Sequence, residues 1–387
     1  MEPKIRFKGF EGEWKTQSLS DHNFSIIAGG DVDKKLLQNN GKYPVIANAL
    51  TNDGILGYYM DSFRVNGPAV TVTGRGDIGV AIARHYSFTP VVRLLSIKSN
   101  HNVDFLANAI NCYKAAKEST GVPQLTTAKL QEYRIPIPKE MDEENAIASY
   151  FTFLDSHISA STSRLASLKQ MKAASLQAMF PQEGETVPKI RFKGFEGEWK
   201  KVKLGDIAKF SKGQGYSKSD LKETGHPIIL YGRMYTKYQF AIDEVDTFAN
   251  LKDASILSEG NEIIMPASGE TPEDIACASA VLSKDIILGG DLNIMHFDLT
   301  KFSTPYIALV ITYSKTHHDL SKCAQGKSVV HLHNGAISRA TISLPSLAEQ
   351  QAIASYFTSL DRQISLQSQR LEKLKQIKSA CLEKMFV

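Results

Sequence analysis

An exact internal repeat constrains this chain more than any other feature. The same twelve residues, Lys-Ile-Arg-Phe-Lys-Gly-Phe-Glu-Gly-Glu-Trp-Lys, stand at positions 4–15 and again at 189–200. A second block follows each copy, because residues 147–180 and 353–386 align without gaps and share 20 of 34 residues. Almost nothing matches between the blocks. The chain is therefore a tandem duplication in which one frame surrounds two different interiors, an arrangement that suits two recognition surfaces presented in a common geometry.

Composition indicates a soluble globular chain. Its 387 residues are 42% hydrophobic, which is enough for two or three ordinary domains. The first residues lead into no apolar run of signal-peptide length, and no stretch of about 18 apolar residues occurs, so we expect a cytoplasmic protein without a membrane span. The cysteines lack metal-ligand spacing, which predicts idle thiols and no metal site. They are Cys112, Cys277, Cys323 and Cys381.

Charge is unevenly distributed along the chain. The formal net charge is +4, and residues 1–139 carry the largest excess, with 17 Lys and Arg against 12 Asp and Glu. Such an excess is about what one phosphate-contacting face needs, but many soluble domains have the same balance. Charge by itself does not identify a nucleic-acid-binding protein.

The second repeated block reads as a long helix with a heptad seam. Apolar residues recur at alternating steps of four and three, and neither copy contains Gly or Pro. Two interpretations fit: each seam docks on its own domain, or the two helices form a coiled coil. We favour an antiparallel coiled coil, because residues 188–345 lie between the helices and can carry the chain from the far end of the first helix to the start of the second. Polar seam positions Ser161, Gln367, Lys172 and Lys378 would then help fix the register. The apolar seam residues are Ile147, Phe151, Leu154, Ile158, Leu165 and Leu168 in the first copy, and Ile353, Phe357, Leu360, Ile364, Leu371 and Leu374 in the second.

The two interiors are predicted to be mixed α and β domains, which gives an α+β fold class. Trp14 precedes Ile147 by 133 residues and Trp199 precedes Ile353 by 154, so the second interior is longer. We predict strands at 69–72, 80–83 and 91–97 and a helix at 105–117 in the first, then strands at 227–230, 262–265 and 278–282 and a helix at 305–316 in the second. The expected domains are 1–139, 140–183, 184–345 and 346–387.

The motif Gly74-Arg75-Gly76-Asp77-Ile78-Gly79 matches the GxGxxG pattern of dinucleotide-binding folds. A helix should follow such glycines and an acidic residue should come about 20 positions later. Instead the following residues read as a strand, and no Asp or Glu occurs between Asp77 and Asp104. The motif therefore predicts a tight β-turn, with Arg75 exposed at its tip and suited to phosphate or guanine.

Other motif matches are incomplete, so we predict no catalytic residue and no cofactor site in this chain. Gly326-Lys327-Ser328 resembles the end of a P-loop, but Ser321 stands where that motif requires Gly. The histidines at 317, 318, 331 and 333 lack carboxylate or Cys companions at ligand spacing.

Two Gly-Lys segments are further candidates for DNA contact. Lys34 and Lys35 each follow a Gly by five residues, as Lys218 follows Gly213, shortly after each copy of the twelve-residue repeat. They could offer amides and ammonium groups to a phosphate backbone, or they could be ordinary solvated loops; both readings stay open. The complete set of candidates is Lys34, Lys35, Arg75, Lys212, Lys218, Arg233 and Lys327.

This duplicated frame closely resembles the specificity subunit of type I restriction-modification systems, over nearly the whole chain. The most specific marks are the two copies of Phe-Lys-Gly-Phe-Glu-Gly-Glu-Trp-Lys and the two Ile-Ala-Ser-Tyr-Phe-Thr helices, preceded by Ile137-Pro138 and Leu344-Pro345. Supporting marks are Gly121 and Leu125 in the first half and Gly326 and Leu332 in the second, each pair leading into a segment that closes a target recognition domain in the family.

The resemblance implies a non-catalytic reader of double-stranded DNA. Each of two recognition domains would bind one half of a bipartite, asymmetric site. The helices would set the spacer and dock two methyltransferase subunits, with restriction subunits joining that core and S-adenosylmethionine bound by the partner. An alternative is a coiled-coil scaffold that joins proteins and lacks salt-sensitive DNA affinity. An unrecognised enzyme is a second alternative, and activity of the purified chain alone would reveal it.

Overall fold

The computed structural model describes residues 2–113 and 124–386 and separates into two compact units. The first unit comprises Met1–Ser163 and Ser368–Val387, and the second comprises Arg164–Gln367. Gly121 and the predicted helical positions 114–117 lie outside the described residues. Among the residues that are described, no helix combines the length and apolarity of a membrane span.

The described part of the first interior contains three small sheets and two short α-helices. The strands and α-helices in chain order are β1 Lys15–Ser18, β2 Phe24–Ala28, β3 Tyr43–Ile46, β4 Ile55–Tyr59, β5 Ala69–Thr73, β6 Ala81–Arg84, β7 Thr89–Pro90, β8 Leu94–Ser99, α1 Val103–Cys112, α2 Thr127–Gln131, β9 Arg134–Ile137 and the long α3 Met141–Ala178. One sheet has the antiparallel order β2-β8-β5-β6, a second has the order β4-β3-β7, and β1 pairs with β9.

The interior of the second unit is larger but uses the same plan. Its main sheets have the orders β11-β21-β17-β19-β14 and β12-β15-β13-β20-β16, with β10 paired to β23 and β18 to β22. The elements are β10 Lys200–Lys203, α4 Leu204–Ile207, β11 Ala208–Lys212, β12 Leu221–Lys222, β13 His226–Ile229, α5 Arg233–Thr236, β14 Ala241–Ile242, β15 Phe248–Ala249, β16 Leu257–Glu259, β17 Glu262–Pro266, β18 Ser268–Gly269, α6 Pro272–Ile275, β19 Ser279–Val281, β20 Lys284–Leu288, β21 Leu292–Phe297, α7 Thr304–Tyr313, α8 Lys315–Lys322, β22 Val330–His331, α9 Asn334–Arg339, β23 Thr341–Leu344 and the long α10 Leu347–Phe386.

The two interiors share one strand register although their sequences do not match. In the first unit β8 lies between β2 and β5, and in the second β21 lies between β11 and β17. The edge strands β2 and β11 end in the same way. The Gly29 amide donates to the Leu94 carbonyl at 2.7 Å, and the Gly213 amide donates to the Leu292 carbonyl at 2.9 Å. These three strands are therefore arranged alike in the two interiors, which agrees with the prediction of a duplicated α+β fold.

Glycine is needed at this shared position because the backbones approach too closely for a side chain. A Cβ on Gly29 would lie 1.9 Å from the Val91 carbonyl oxygen, and one on Gly213 would lie 1.8 Å from that of Gly289. The two Gly-Lys segments therefore begin at equivalent points of the fold, where the glycine serves close packing.

The predicted strands and helices occur with shifted ends. The segment 69–72 lies in β5 and pairs antiparallel with β6, so the glycine motif is the turn between two strands. The strand predicted at 91–97 begins later, at Leu94. The helix predicted at 305–316 ends at Tyr313, because Ser314 breaks it and its side chain caps the next helix, α8.

Within each unit the two long helices run antiparallel. In the first, Asp155 of α3 pairs with Lys378 of α10 at 2.5 Å, and Tyr150 lies 3.5 Å from the Cys381 sulfur. In the second, Lys172 of α3 pairs with Asp361 of α10 at 2.6 Å. The seam lysines therefore form ion pairs between the helices, and this pairing favours one register.

The heptad seam is the inner face of both helices. The seam also docks on each domain, since Phe151 and Leu154 share a core with Trp14 and Phe105, so both interpretations of the pattern apply. Ile147, Phe151, Leu154, Leu168, Ile353, Phe357, Leu360 and Leu371 are buried, and Ile158, Leu165, Ile364 and Leu374 are partly buried.

The twelve-residue repeat forms a clip on the start of one long helix. In the first unit the guanidinium of Arg6 donates to both carboxylate oxygens of Glu143, at 2.7 Å each, and to the Gly12 carbonyl at 2.6 Å. In the second, Arg191 donates in the same way to Glu349, at 2.7 Å each. Glu143 and Glu349 are each 1% exposed. These forked hydrogen bonds join the repeat to α3 in one unit and to α10 in the other.

The same clip also holds the end of the other long helix. The Lys4 amide donates to the Lys384 carbonyl of α10 at 2.9 Å, and the Ile190 amide donates to the Ala178 carbonyl of α3 at 2.9 Å. These bonds satisfy carbonyls that a helix C-terminus leaves without partners. Each repeat therefore fastens one helix start and one helix end, which explains why the frame needs two antiparallel helices.

We expect Arg6→Ala to destabilise the first unit by about 3–5 kcal/mol, because it leaves the Glu143 carboxylate buried without its cation. Trp14 and Trp199 are the two tryptophans of the chain. Urea unfolding followed by Trp14 fluorescence in a Trp199→Phe background would isolate the first unit. The control is Lys8→Ala, at an exposed position of the same repeat. Equal unfolding midpoints for Arg6→Ala and Lys8→Ala would contradict the clip.

Candidate nucleic-acid interface

The glycine turn of the first unit packs against the loop before β8. A Cβ on Gly74 would lie 2.2 Å from the Arg93 carbonyl oxygen. The Asn48 side chain ties the two together, since it accepts from the Gly74 amide at 2.8 Å and donates to the Val92 carbonyl at 3.1 Å. We call residues 74–77 and 91–93 the first corner. Its exposed cations are Arg75 and Arg93.

The predicted lysines Lys34 and Lys35 lie on a loop next to this corner. Both are exposed, and the Lys35 amide donates to the Asp33 carboxylate at 2.9 Å. The loop begins at Gly30, whose backbone pairs with Val91. The exposed Arg64 donates to the Asp31 carbonyl in the same loop. Exposed carboxylates at Asp31, Asp33 and Asp77 accompany these cations, so the surface is positive but not uniformly so.

The second unit has an equivalent corner with different chemistry. The Leu332 amide donates to the Ala267 carbonyl at 3.0 Å, as the Leu125 amide donates to the Gly74 carbonyl at 3.0 Å. The strand pairings agree, because Thr73 faces Leu94 and Pro266 faces Leu292. By this register Ser268 stands where Arg75 does, and Asp291 stands where Arg93 does. We call residues 267–270 and 289–291 the second corner.

A hydrogen bond joins the two halves of the second corner. The Ser268 hydroxyl donates to the Asp291 carboxylate at 3.0 Å, and the Ala267 amide donates to the Asp291 carbonyl at 2.7 Å. Asp291 is exposed, and the neighbouring Glu270 is exposed as well. The second corner therefore offers acceptors where the first offers donors.

Two predicted residues of the second unit line one cavity of about 820 Å³ next to Gly290 and Asp291. Lys218 is exposed at its rim. Arg233 is 8% exposed and pairs with Asp246 at 2.5 Å. Hydrogen bonds from Lys237 and Arg233 hold the pKa of Asp246 well below its usual range. Arg233 therefore has an ion-pair partner within the second unit, and its predicted DNA contact stays a prediction.

The remaining predicted lysines are exposed on separate elements of the second unit. Lys212 is the last residue of β11. Lys327 lies in the loop closed by hydrogen bonds between Gln325 and His331, and β22 pairs with β18 beside Ser268. A Cβ on Gly326 would lie 2.0 Å from the Val329 carbonyl oxygen, so this glycine makes a tight turn.

The described residues contain no group of three or more His, Cys, Asp or Glu side chains arranged to hold a metal ion. Burial raises the pKa of the Cys112 and Cys277 thiols to about 11, so both are protonated at neutral pH. Neither thiol has the thiolate character of a nucleophile.

Sequence reasoning missed Arg64, Arg93 and Asp291. Arg93 and Asp291 owe their place to strand register and to a left-handed backbone, with φ of 72° and 57°. No motif marks either residue. Only an alignment of the two interiors by fold makes them counterparts.

Comparison with known proteins places these features in one family. The model of the type I restriction modification DNA specificity domain matches residues 11–170 and 196–376. A putative type I specificity subunit of Mycoplasma pneumoniae is 31% identical over 154 residues, which are 38% of this chain and 42% of that protein. A second from the same organism is 29% identical over 167 residues and is covered to 50% of its length. The chain thus spans about half the length of these relatives.

A solved structure shows the same fold over the whole chain. The type I restriction-modification S subunit from M. genitalium aligns with a TM-score of 0.65 at 15% identity and covers 100% of this chain and 99% of its own. The specificity subunit of the Methanocaldococcus jannaschii enzyme MjaVIII is 20% identical over 277 residues, which are 68% of this chain and 64% of that protein. Because the family model matches most of both halves, this chain belongs to the type I restriction-modification DNA specificity family.

Proposed function

We propose that the chain is the DNA-reading specificity subunit of a type I restriction-modification complex and has no catalytic activity itself. The observation that carries this proposal is the pair of interiors with one fold and unlike loops, each fastened to the same two helices. Each interior would read one half of a bipartite site. Because the corners differ in charge, the two halves would differ in sequence, which makes the site asymmetric.

The partners follow from the family and from the long helices. Two methyltransferase subunits would dock on the repeated frame, which presents similar surfaces twice, and restriction subunits would join that core. S-adenosylmethionine would bind to the methyltransferase subunits, where adenine methylation would take place. The protein would act in the cytoplasm on double-stranded DNA. The candidate contacts are Lys34, Lys35, Arg75, Lys212, Lys218, Arg233 and Lys327.

Modularity gives the first test of this function. Replacing residues 16–137 with the interior of a relative should change one half of the methylated motif and leave the other half intact, because each interior has its own clip and core. Methylome sequencing of a strain carrying the system reads both halves at once. The matched control replaces residues 201–344 and should change the opposite half. A graft that alters both halves would count against independent readers.

The helices give a second test. We propose that they set the distance between the half-sites. Inserting two heptads in both helices, after Ser163 and after Gln367, should lengthen the separation by roughly 20 Å at about 1.5 Å per residue. The spacer in the methylated motif should grow by about six base pairs, with both half-sites unchanged.

The control for this insertion lengthens α3 alone. That variant misaligns the ion pairs of the two helices and should lose methylation altogether. An unchanged spacer in the double insertion would show that the helices do not set the distance.

Arg75 gives a third test, because its guanidinium is exposed at the tip of the turn. We expect a phosphate contact, so Arg75→Ala should weaken binding to all sequences and reduce the slope of log K against log salt by about one. Arg75→Lys should keep the slope, because it keeps the charge. A guanine contact would instead relax one base position of the first half-site in both variants. Binding of the assembled methyltransferase to its own duplex, titrated with salt, separates these results. If the salt titration of Arg75→Ala coincided with that of the wild type, the turn would face away from DNA.

A further inference from the structure

We propose that Arg93 and Asp291 contact DNA from equivalent points of the two interiors, and that the two corners take opposite hydrogen-bonding partners there. The first corner would bind acceptors, namely phosphate oxygens or the O6 and N7 atoms of guanine. The second would bind the exocyclic amino group of cytosine or adenine and so determine specificity. This inference rests on the proposed function and assigns a DNA-contacting position to each interior.

Strand register makes Arg93 and Asp291 counterparts. Each residue directly precedes an interior strand of its main sheet, β8 or β21, which is the second strand from one edge. Backbone contacts repeat on both sides: the Val91 amide donates to the Ile46 carbonyl at 2.8 Å, and the Gly289 amide donates to the Ile229 carbonyl at 2.9 Å. The two interiors therefore present different side chains from one point of the same scaffold.

Both residues hold a backbone conformation that usually belongs to glycine. Arg93 has a φ of 72° and Asp291 a φ of 57°. A left-handed conformation is unfavourable for a long side chain such as Arg, and Asp tolerates it better. Glycine would relieve the strain at either position, yet each position carries an exposed charge. Asp285 has the same backbone conformation, so the inference rests on the equivalent positions and exposed charges of Arg93 and Asp291, and the strain only accompanies them.

The first corner has cations ready for an acceptor. Across residues 2–113 and 124–386 no ion pair of Arg75 or Arg93 is formed, and both side chains are exposed. The adjacent loop adds Lys34 and Lys35. A guanidinium fork fits phosphate or guanine, whose major-groove edge presents acceptors.

The second corner carries exposed carboxylates, and Lys218 and Arg233 line the cavity that Asp291 also lines. The Ser268 hydroxyl donates to one oxygen of Asp291, which orients the carboxylate. Glu270, two residues after Ser268, is exposed as well. A carboxylate accepts from the amino group of cytosine and repels both phosphate and the guanine edge. This corner would therefore contribute discrimination and little salt-dependent affinity.

The test compares Arg93→Gln and Asp291→Asn with controls at matched positions. Arg134→Gln changes an exposed arginine on β9 of the first unit, and Asp285→Asn changes an exposed aspartate of the second unit that also has a positive φ, 61°. Each variant is coexpressed with the methyltransferase subunits. The methylated motif is read by sequencing, and affinity for a duplex carrying that motif is titrated against salt.

We expect different effects at the two corners. Arg93→Gln should either reduce the salt slope by about 0.9 or relax one base of the first half-site. Asp291→Asn should not reduce the slope of log K against log salt. It should relax one base of the second half-site and reduce the discrimination between bases at that position by about 5- to 150-fold. Arg93→Gly, which removes the backbone strain, should lose the same function as Arg93→Gln while remaining folded by thermal melting.

Several results would overturn the inference. One is that Arg93→Gln and Asp291→Asn show the same salt dependence of affinity and the same methylated motif as their controls. Another is that Asp291→Asn changes the motif only in the first half-site. These results differ from failure of the proposed function itself, in which the wild-type complex would show neither a bipartite methylated motif nor salt-dependent DNA affinity.

Discussion

A buried carboxylate held by a forked guanidinium is the interaction on which both halves of this protein depend. Glu143 and Glu349 stand at the starts of the two long helices, and each is almost completely buried. A buried charge without a partner is strongly destabilising, so the arginine of each repeat must stay in place. That requirement accounts for the arginine that recurs in both copies of the repeat while the interiors have diverged.

The frame leaves the loops free to change. Each interior must supply a strand register and one close backbone approach, at Gly29 or at Gly213, and these conditions restrict few side chains. The corners can then carry arginines in one half and an aspartate in the other without disturbing the sheets. Recognition and stability thus reside in different residues, which is the condition for changing one without losing the other.

How much the sequence could predict depended on the kind of signal. The long helices followed from an unbroken heptad pattern, because a helical face repeats within a short window of residues. The glycine turn followed from two strand-like flanks. The strand order that the two interiors share could not be predicted, since it lies in which strands pair and not in which residues recur. The ion pair of Arg233 with Asp246 is likewise invisible in the sequence, and Arg93 went unnoticed because only tertiary packing sets it next to the glycine turn.

The discontinuous make-up of the first unit has a consequence for synthesis on the ribosome. All residues of the second unit precede Ser368, whereas the first unit also needs the final segment Ser368–Val387. Trp14, Phe105 and Phe151 pack around Phe386, with ring centroids 5.4 to 6.2 Å away. The aromatic core of the first unit therefore cannot close until the residues of the second unit and the segment that follows them have been synthesised. During that interval the apolar surface that Phe386 covers is exposed to aggregation and to chaperones.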